Sequence, residues 1–249
     1  MPPSLAQPIS IPGFADPVSA LTHLLGAVVF LAMGVRLVRR GHRNQAVTGR
    51  AGGWHTTSLA VFAFSCVFLL SMSGVFHLLA RGQGRDVLQR LDHAAIFVLI
   101  AGTFTPIHAI LFRGVLRWGI LGLVWLGAVL GIVFKTVYFE GFPEWLSVGL
   151  YLGLGWIGGI SMLVVWRTHG LGFGWRMIAA GVSYTVGAVV DYARWPTLIE
   201  GVLGPHEIFH LFVLLGAMFF WRFVERVESE RGAMPVRVRR ERRAVRDAA

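Results

Sequence analysis

The stretch Trp54–Ala80, WHTTSLAVFAFSCVFLLSMSGVFHLLA, decides the fold. It contains no Asp, Glu, Lys or Arg, and it is longer than the roughly 20 helical residues that cross a hydrocarbon core. It therefore reads as one membrane-spanning helix, and it carries an ionisable group, His77, close to its end. Working outward, six further apolar stretches of similar length occur at roughly 18–38, 91–112, 117–138, 145–166, 175–193 and 206–226. The expected fold is all-α, a polytopic membrane protein built as a seven-transmembrane-helix bundle over 18–226. A short N-terminal segment, 1–17, precedes it and a basic C-terminal tail, 227–249, follows.

Composition agrees. A mean hydropathy of +0.64 with 55% hydrophobic and 14% charged residues excludes a soluble core. The lone cysteine, Cys66, rules out an internal disulfide and reads as a small buried apolar residue. The net charge of +10 raises nucleic acid as a partner, but the arginines sit in membrane-flanking loops and the tail. Anionic inner-leaflet headgroups are the simpler partner, and no nucleic acid is expected. The first fifteen residues lack the pattern of a cleaved signal peptide.

With seven spans, eighteen Lys and Arg residues fall on the side of the tail and five on the other. This asymmetry places the C-terminus in the cytoplasm and the N-terminus outside. Short, glycine-bearing connections imply that sequential helices are neighbours. The pairs Gly127/Gly131, Gly149/Gly153 and Gly155/Gly159 read as close-packing signals within helices.

Ionisable residues at membrane depth usually mark function. His206 and His210 are spaced i, i+4, so both imidazoles leave one helix face about 6 Å apart at Cβ. His77 ends the second span on that same side of the membrane, and Asp92 opens the third span there, right after the second loop. Ser73 precedes His77 by one helical turn. Three histidines with a carboxylate and a hydroxyl at one depth point to Zn2+ held by His77, His206 and His210, with a fourth position for water. The segment His206-Glu207-Ile208-Phe209-His210 is also a literal H-E-x-x-H. The protease reading of that motif fails for want of a downstream third ligand, since Glu225 lies about 22 Å further along the helix.

The remaining polar residues receive structural readings. Asp16 caps the first helix, and His23, with Thr22 and Ser19, either lines the cavity or, the favoured reading, hydrogen-bonds between helices on the metal side. Asp191 and Arg194 form a local ion pair. His93 is a packing or interface residue, and His42, His55, His108 and His169 are solvated or interfacial.

Ser73-Gly-Val-Phe-His77, Leu91-Asp92-His93-Ala94-Ala95-Ile96 with Ala101-Gly-Thr-Phe-Thr-Pro106, and His206-Glu-Ile-Phe-His-Leu-Phe212 resemble the motifs of the hemolysin III family. That family is the bacterial branch of the progestin and adipoQ receptor (PAQR) group, some members of which are described as membrane homeostasis proteins. Tyr151–Trp156 and Gly181–Gly187 are similar to the family's fifth and sixth spans. The resemblance implies zinc on His77, His206 and His210. More distantly, adiponectin receptors and alkaline ceramidases imply that Asp92 orients or deprotonates a zinc-bound water and that Ser73 helps hold it or the developing oxyanion. Eukaryotic adiponectin receptors keep the N-terminus in the cytoplasm, the reverse of the arginine count here.

The favoured function is a zinc-dependent hydrolase of lipid amide or ester bonds, with membrane lipids as partners and an acyl-chain lipid as substrate. A non-enzymatic regulator or sensor with a structural zinc is the alternative. A pore-forming cytolysin is a third reading, disfavoured because continuous apolar spans offer no water-lined channel.

Overall fold

The hydropathy pattern is realised as eight helices in a computed structural model that describes residues 16–48, 54–80, 82–141 and 143–233. The segment before Asp16, the loop glycines Gly49, Gly52 and Gly53, Arg81, and the tail beyond Ala233 lie outside the described residues. The helices are α1 Pro17–Thr48, α2 Trp54–Leu78, α3 Gln83–Leu111, α4 Gly114–Val137, α5 Glu144–Trp156, α6 Gly158–His169, α7 Leu171–Ala193 and α8 Pro205–Ala233. Helices α5 and α6 together make one span, Glu144–His169, so the described residues hold seven spans long and apolar enough to cross a membrane. The interruption at Ile157 falls among Gly155, Gly158 and Gly159, where the chain has little side-chain bulk to hold a straight helix.

Several helices outrun the apolar stretches that predicted them. Helix α1 continues through its arginine-rich turns to Thr48, α3 starts eight residues before 91, and α8 runs past 226 to Ala233. Polar turns at a helix end leave the hydrocarbon and keep their backbone hydrogen bonds in the interface, so hydropathy underestimates helix length.

Sequential helices pack as neighbours, and α1 against α8 closes the bundle. Trp221, Phe30 and Phe62 are fully buried between α1, α2 and α8, and Phe223 of α8 is fully buried against Phe173 of α7. Phe30 meets the Trp221 ring edge-on at 5.2 Å, the geometry aromatic quadrupoles favour. By contrast α4 turns Val115, Leu126 and Val129 outward, an apolar surface suited to lipid. Gly127 and Gly131 admit Leu154 of α5 and Phe97 of α3 as expected of packing glycines. Gly149, Gly153 and Gly155 meet nothing within 4 Å, so those glycines open space instead of closing it.

Candidate metal centre

Helix α2 delivers His77 one residue before its end, and α8 delivers His206 and His210 in its first two turns. The ligand atoms of the three imidazoles lie within 4.8 Å of one another, a set that can hold one metal ion. Two carboxylates fix the rings. His77 Nδ1 lies 3.0 Å from Asp16 Oδ2, and His206 Nδ1 lies 3.1 Å from Asp191 Oδ1. An ionised carboxylate only accepts, so each Nδ1 carries the proton and each Nε2 presents a lone pair. Those two Nε2 atoms are 3.2 Å apart. Lone pairs at that separation repel unless a proton or a cation lies between them. The third ring, His210, is buried, and its Nδ1 has no hydrogen-bond partner among the described residues.

Asp16 is thus more than a helix cap. Its carboxylate accepts from His77 and, at 2.7 Å, from Arg85 Nη2, while its backbone N–H donates to the His77 carbonyl. Burial raises its pKa, but the hydrogen bonds and charges of His77 and Arg85 outweigh that and push it down to about 2. Asp191 likewise does not form the expected ion pair with Arg194, which reaches Glu144 at 3.1 Å instead. Carboxylates on the outer nitrogen of metal-ligating histidines set tautomer and orientation, and both are placed for that here.

Two glycines permit the close approaches that this needs. A Cβ on Gly74 would stand 2.7 Å from Leu24 Cγ, so its absence lets α1 bring Asp16 onto α2. A Cβ on Gly187 would stand 2.7 Å from Phe212 Cβ, so its absence lets α7 bring Asp191 onto α8. Glu207 points elsewhere. It accepts from Ser19 Oγ at 3.1 Å and from the Gly204 N–H at 3.0 Å, the reach-back half of a capping box behind Pro205. The geometry therefore gives Glu207 a capping role and accords with setting the protease motif aside.

A cavity of about 450 Å³ opens beside the cluster, lined there by His23, Ser73, Asp92, His206 and His210. Its remaining walls, from α3 to α8, are largely apolar and extend from Asp92 to His108. Sixteen residues of α3 separate those two, about 24 Å at 1.5 Å per residue. Ser73 and Asp92 both line this cavity. His93, expected as a packing or interface residue, lines it too and bonds the Gln89 carbonyl through Nδ1 at 2.8 Å.

His23 stacks on His210 with centroids 3.9 Å apart, and neither of its nitrogens has a hydrogen-bond partner among the described residues. Two other histidines depart from expectation. His55 is buried against Glu228 at 2.7 Å, and His108 is buried between α4 and α6; only His42 and His169 are exposed as expected.

Fold and site together define a multi-pass membrane protein with seven spans and a three-histidine cluster able to hold a metal. A family model described as Haemolysin-III related matches residues 14–221. Hemolysin-3 of Bacillus cereus is 32% identical over 205 residues, which cover 81% of this chain and 87% of that protein. The Hemolysin-3 homolog of Bacillus subtilis (strain 168) is 32% identical over 205 residues, covering 81% and 90%. The chain belongs to the hemolysin III family.

Proposed function

We propose that this protein is a zinc-dependent hydrolase of amide or ester bonds in membrane lipids. It sits in the bacterial inner membrane with the metal site toward the outside and the basic tail against anionic headgroups of the inner leaflet. The observation that carries the proposal is the pair of carboxylate-bound histidines whose Nε2 atoms converge to 3.2 Å beside a cavity. Two nitrogens on a tetrahedral zinc, each at about 2.05 Å, stand about 3.3 Å apart, so the spacing fits that ion.

His77, His206 and His210 would hold the zinc, with Asp16 and Asp191 orienting two of them. When bound, zinc lowers the pKa of a coordinated water to about 7 and polarises a carbonyl. Asp92, on the cavity wall, accepts the proton of the attacking water at a carboxylate oxygen and returns it to the leaving group. Ser73 Oγ donates its hydrogen to the carbonyl oxygen as negative charge develops there. The apolar walls beyond take the acyl chain, and a volume of about 450 Å³ lies within the usual range of small-ligand sites.

The regulator reading draws support from His23, which is buried beside His210 with both nitrogens unpartnered among the described residues. As a fourth protein ligand it would close the site and make the metal structural. The cytolysin reading, raised by the relatives' name Hemolysin-3, is disfavoured by the aromatic side chains packed between α1, α2 and α8.

The test is fatty-acid release from ceramides, acyl amides and phospholipids by the protein in lipid bilayers, followed by mass spectrometry. Zinc-dependent release that Asp92→Asn abolishes while keeping its zinc is the expected result. Ser73→Ala should slow release about tenfold to a thousandfold. No zinc-dependent release from any lipid class would favour the regulator, and equal release by Asp92→Asn would refute the mechanism.

A further inference from the structure

The cavity has a second end. His108, three residues before the end of α3, and Ser161, in the first turn and a half of α6, both line it and are both almost completely buried. His108 Nδ1 lies 2.6 Å from the Leu116 carbonyl oxygen, and His108 Nε2 lies 3.0 Å from Ser161 Oγ. A carbonyl can only accept, so Nδ1 carries the proton. In the neutral ring Nε2 is then an acceptor, and the Ser161 hydroxyl donates to it. The direction of this bond is the one in which an imidazole activates a serine. A base held in one tautomer by an acceptor on its far nitrogen, with a hydroxyl on its near one, is the arrangement of a serine nucleophile. Here a backbone carbonyl takes the place of the usual carboxylate.

Two features separate this pair from an ordinary interhelical hydrogen bond. It borders a cavity as well as the rings of Phe104 and Phe112, which pack on His108, and Gly158 and Gly159, three and two residues before Ser161, line the same space without side chains. Apolar residues such as Leu99, Phe104, Ile107 and Phe220 wall the cavity between Asp92 and this end. An acyl chain can lie along that wall with its carbonyl at Ser161.

We propose that Ser161 and His108 form a second, metal-independent nucleophilic site that accepts the acyl group of a long-chain carboxylic ester. Ser161 Oγ bonds to the carbonyl carbon as its proton passes to His108 Nε2. The carbon–oxygen bond to the alcohol then breaks, and the alcohol leaves with that proton. Water, deprotonated by the same nitrogen, hydrolyses the acyl-serine to free acid and restores the hydroxyl. The site does not depend on the metal centre, whose neighbour on the cavity wall, Asp92, is about 24 Å away along α3.

The test uses the full chain in phosphatidylcholine vesicles and hexadecyl fluorophosphonate as the probe. With it the Ser161 oxygen–phosphorus bond forms, the phosphorus–fluorine bond breaks, fluoride leaves and His108 takes the proton. Peptide mass spectrometry should find the adduct on Ser161, formed equally with and without a zinc chelator and absent from Ser161→Ala. His108→Gln keeps a donor for the Leu116 carbonyl and an acceptor for the Ser161 hydroxyl but is no base, so it should slow the adduct about 100-fold or more. Within the wild type alone, Ser161 should react about 100-fold faster than Ser147, which lines the same cavity but accepts from Lys135 Nζ at 2.9 Å. No adduct on Ser161, labelling equal to that of Ser147, or a folded His108→Gln that reacts at the wild-type rate would overturn the proposal.

Discussion

Replacing Asp191 by Asn tests whether the carboxylates behind the histidines tune the metal site. The substitution is nearly isosteric and leaves all three imidazoles in place. It removes the charge facing His206 Nδ1 at 3.1 Å, and the amide can present a donor there and so disfavour the tautomer that binds metal. Loss of such a partner ordinarily costs 10- to 100-fold in metal affinity, about 1.4 to 2.7 kcal/mol. The Asp191 and His206 side chains are 35% and 43% exposed, so screening puts this variant near the lower figure. Asp16 and His77 are 18% and 5% exposed, and Asp16→Asn also leaves Arg85 without its carboxylate, which puts it near the upper figure. Zinc affinity is measured by titration against a competing chelator in lipid nanodiscs, with helicity and melting temperature checked on each variant. If both variants fold and bind zinc within twofold of the wild type, the carboxylates do not set the tautomers and the reasoning fails.

Other consequences can be measured separately. Glu207→Gln should leave zinc stoichiometry unchanged while lowering stability by about 0.5 to 2 kcal/mol, because Glu207 serves the α8 cap and Ser19; loss of zinc would return it to the metal site. Gly187→Val should push α7 off Phe212, cost about 1 to 3 kcal/mol in denaturation and weaken zinc binding through Asp191, whereas unchanged affinity would uncouple α7 from the site. A chelator should lower the melting temperature, since zinc at 1,000 times its Kd stabilises the folded state by about 4.1 kcal/mol, and an unchanged melt would argue against a bound metal. A reporter after Ala249 should read as cytoplasmic and one between Gly82 and Gly84 as external; the reverse would place the histidines at the inner leaflet.

Hydropathy made the seven spans legible, because each had to exclude water over the full thickness of the hydrocarbon. It could not show the break at Ile157, which replaces one helix by two without any change in apolar character. The histidine cluster was legible from two constraints, the i, i+4 spacing of His206 and His210 and the side of the membrane on which His77 falls. The carboxylates behind it were not. An Asp just before a helix ordinarily caps it, and Asp191 has Arg194 three residues away, so local chemistry offered each a sufficient partner. The signal that would have found them is the one that grouped Asp92 with the histidines, since Asp16 and Asp191 fall on that same side. His108 and Ser161 are 53 positions apart in sequence, and only the packing of α3, α4 and α6 reveals the direction of their hydrogen bond.

The most direct test of the metal site is the zinc X-ray absorption spectrum of the purified, zinc-loaded protein, recorded beside His23→Phe, which keeps a ring stacked on His210. Three imidazole nitrogens and one oxygen at about 2.0 to 2.1 Å, unchanged in His23→Phe, are expected of a centre open to the cavity. Four imidazole nitrogens that fall to three in His23→Phe would make the metal structural, and a protein that retains no zinc would contradict the site altogether.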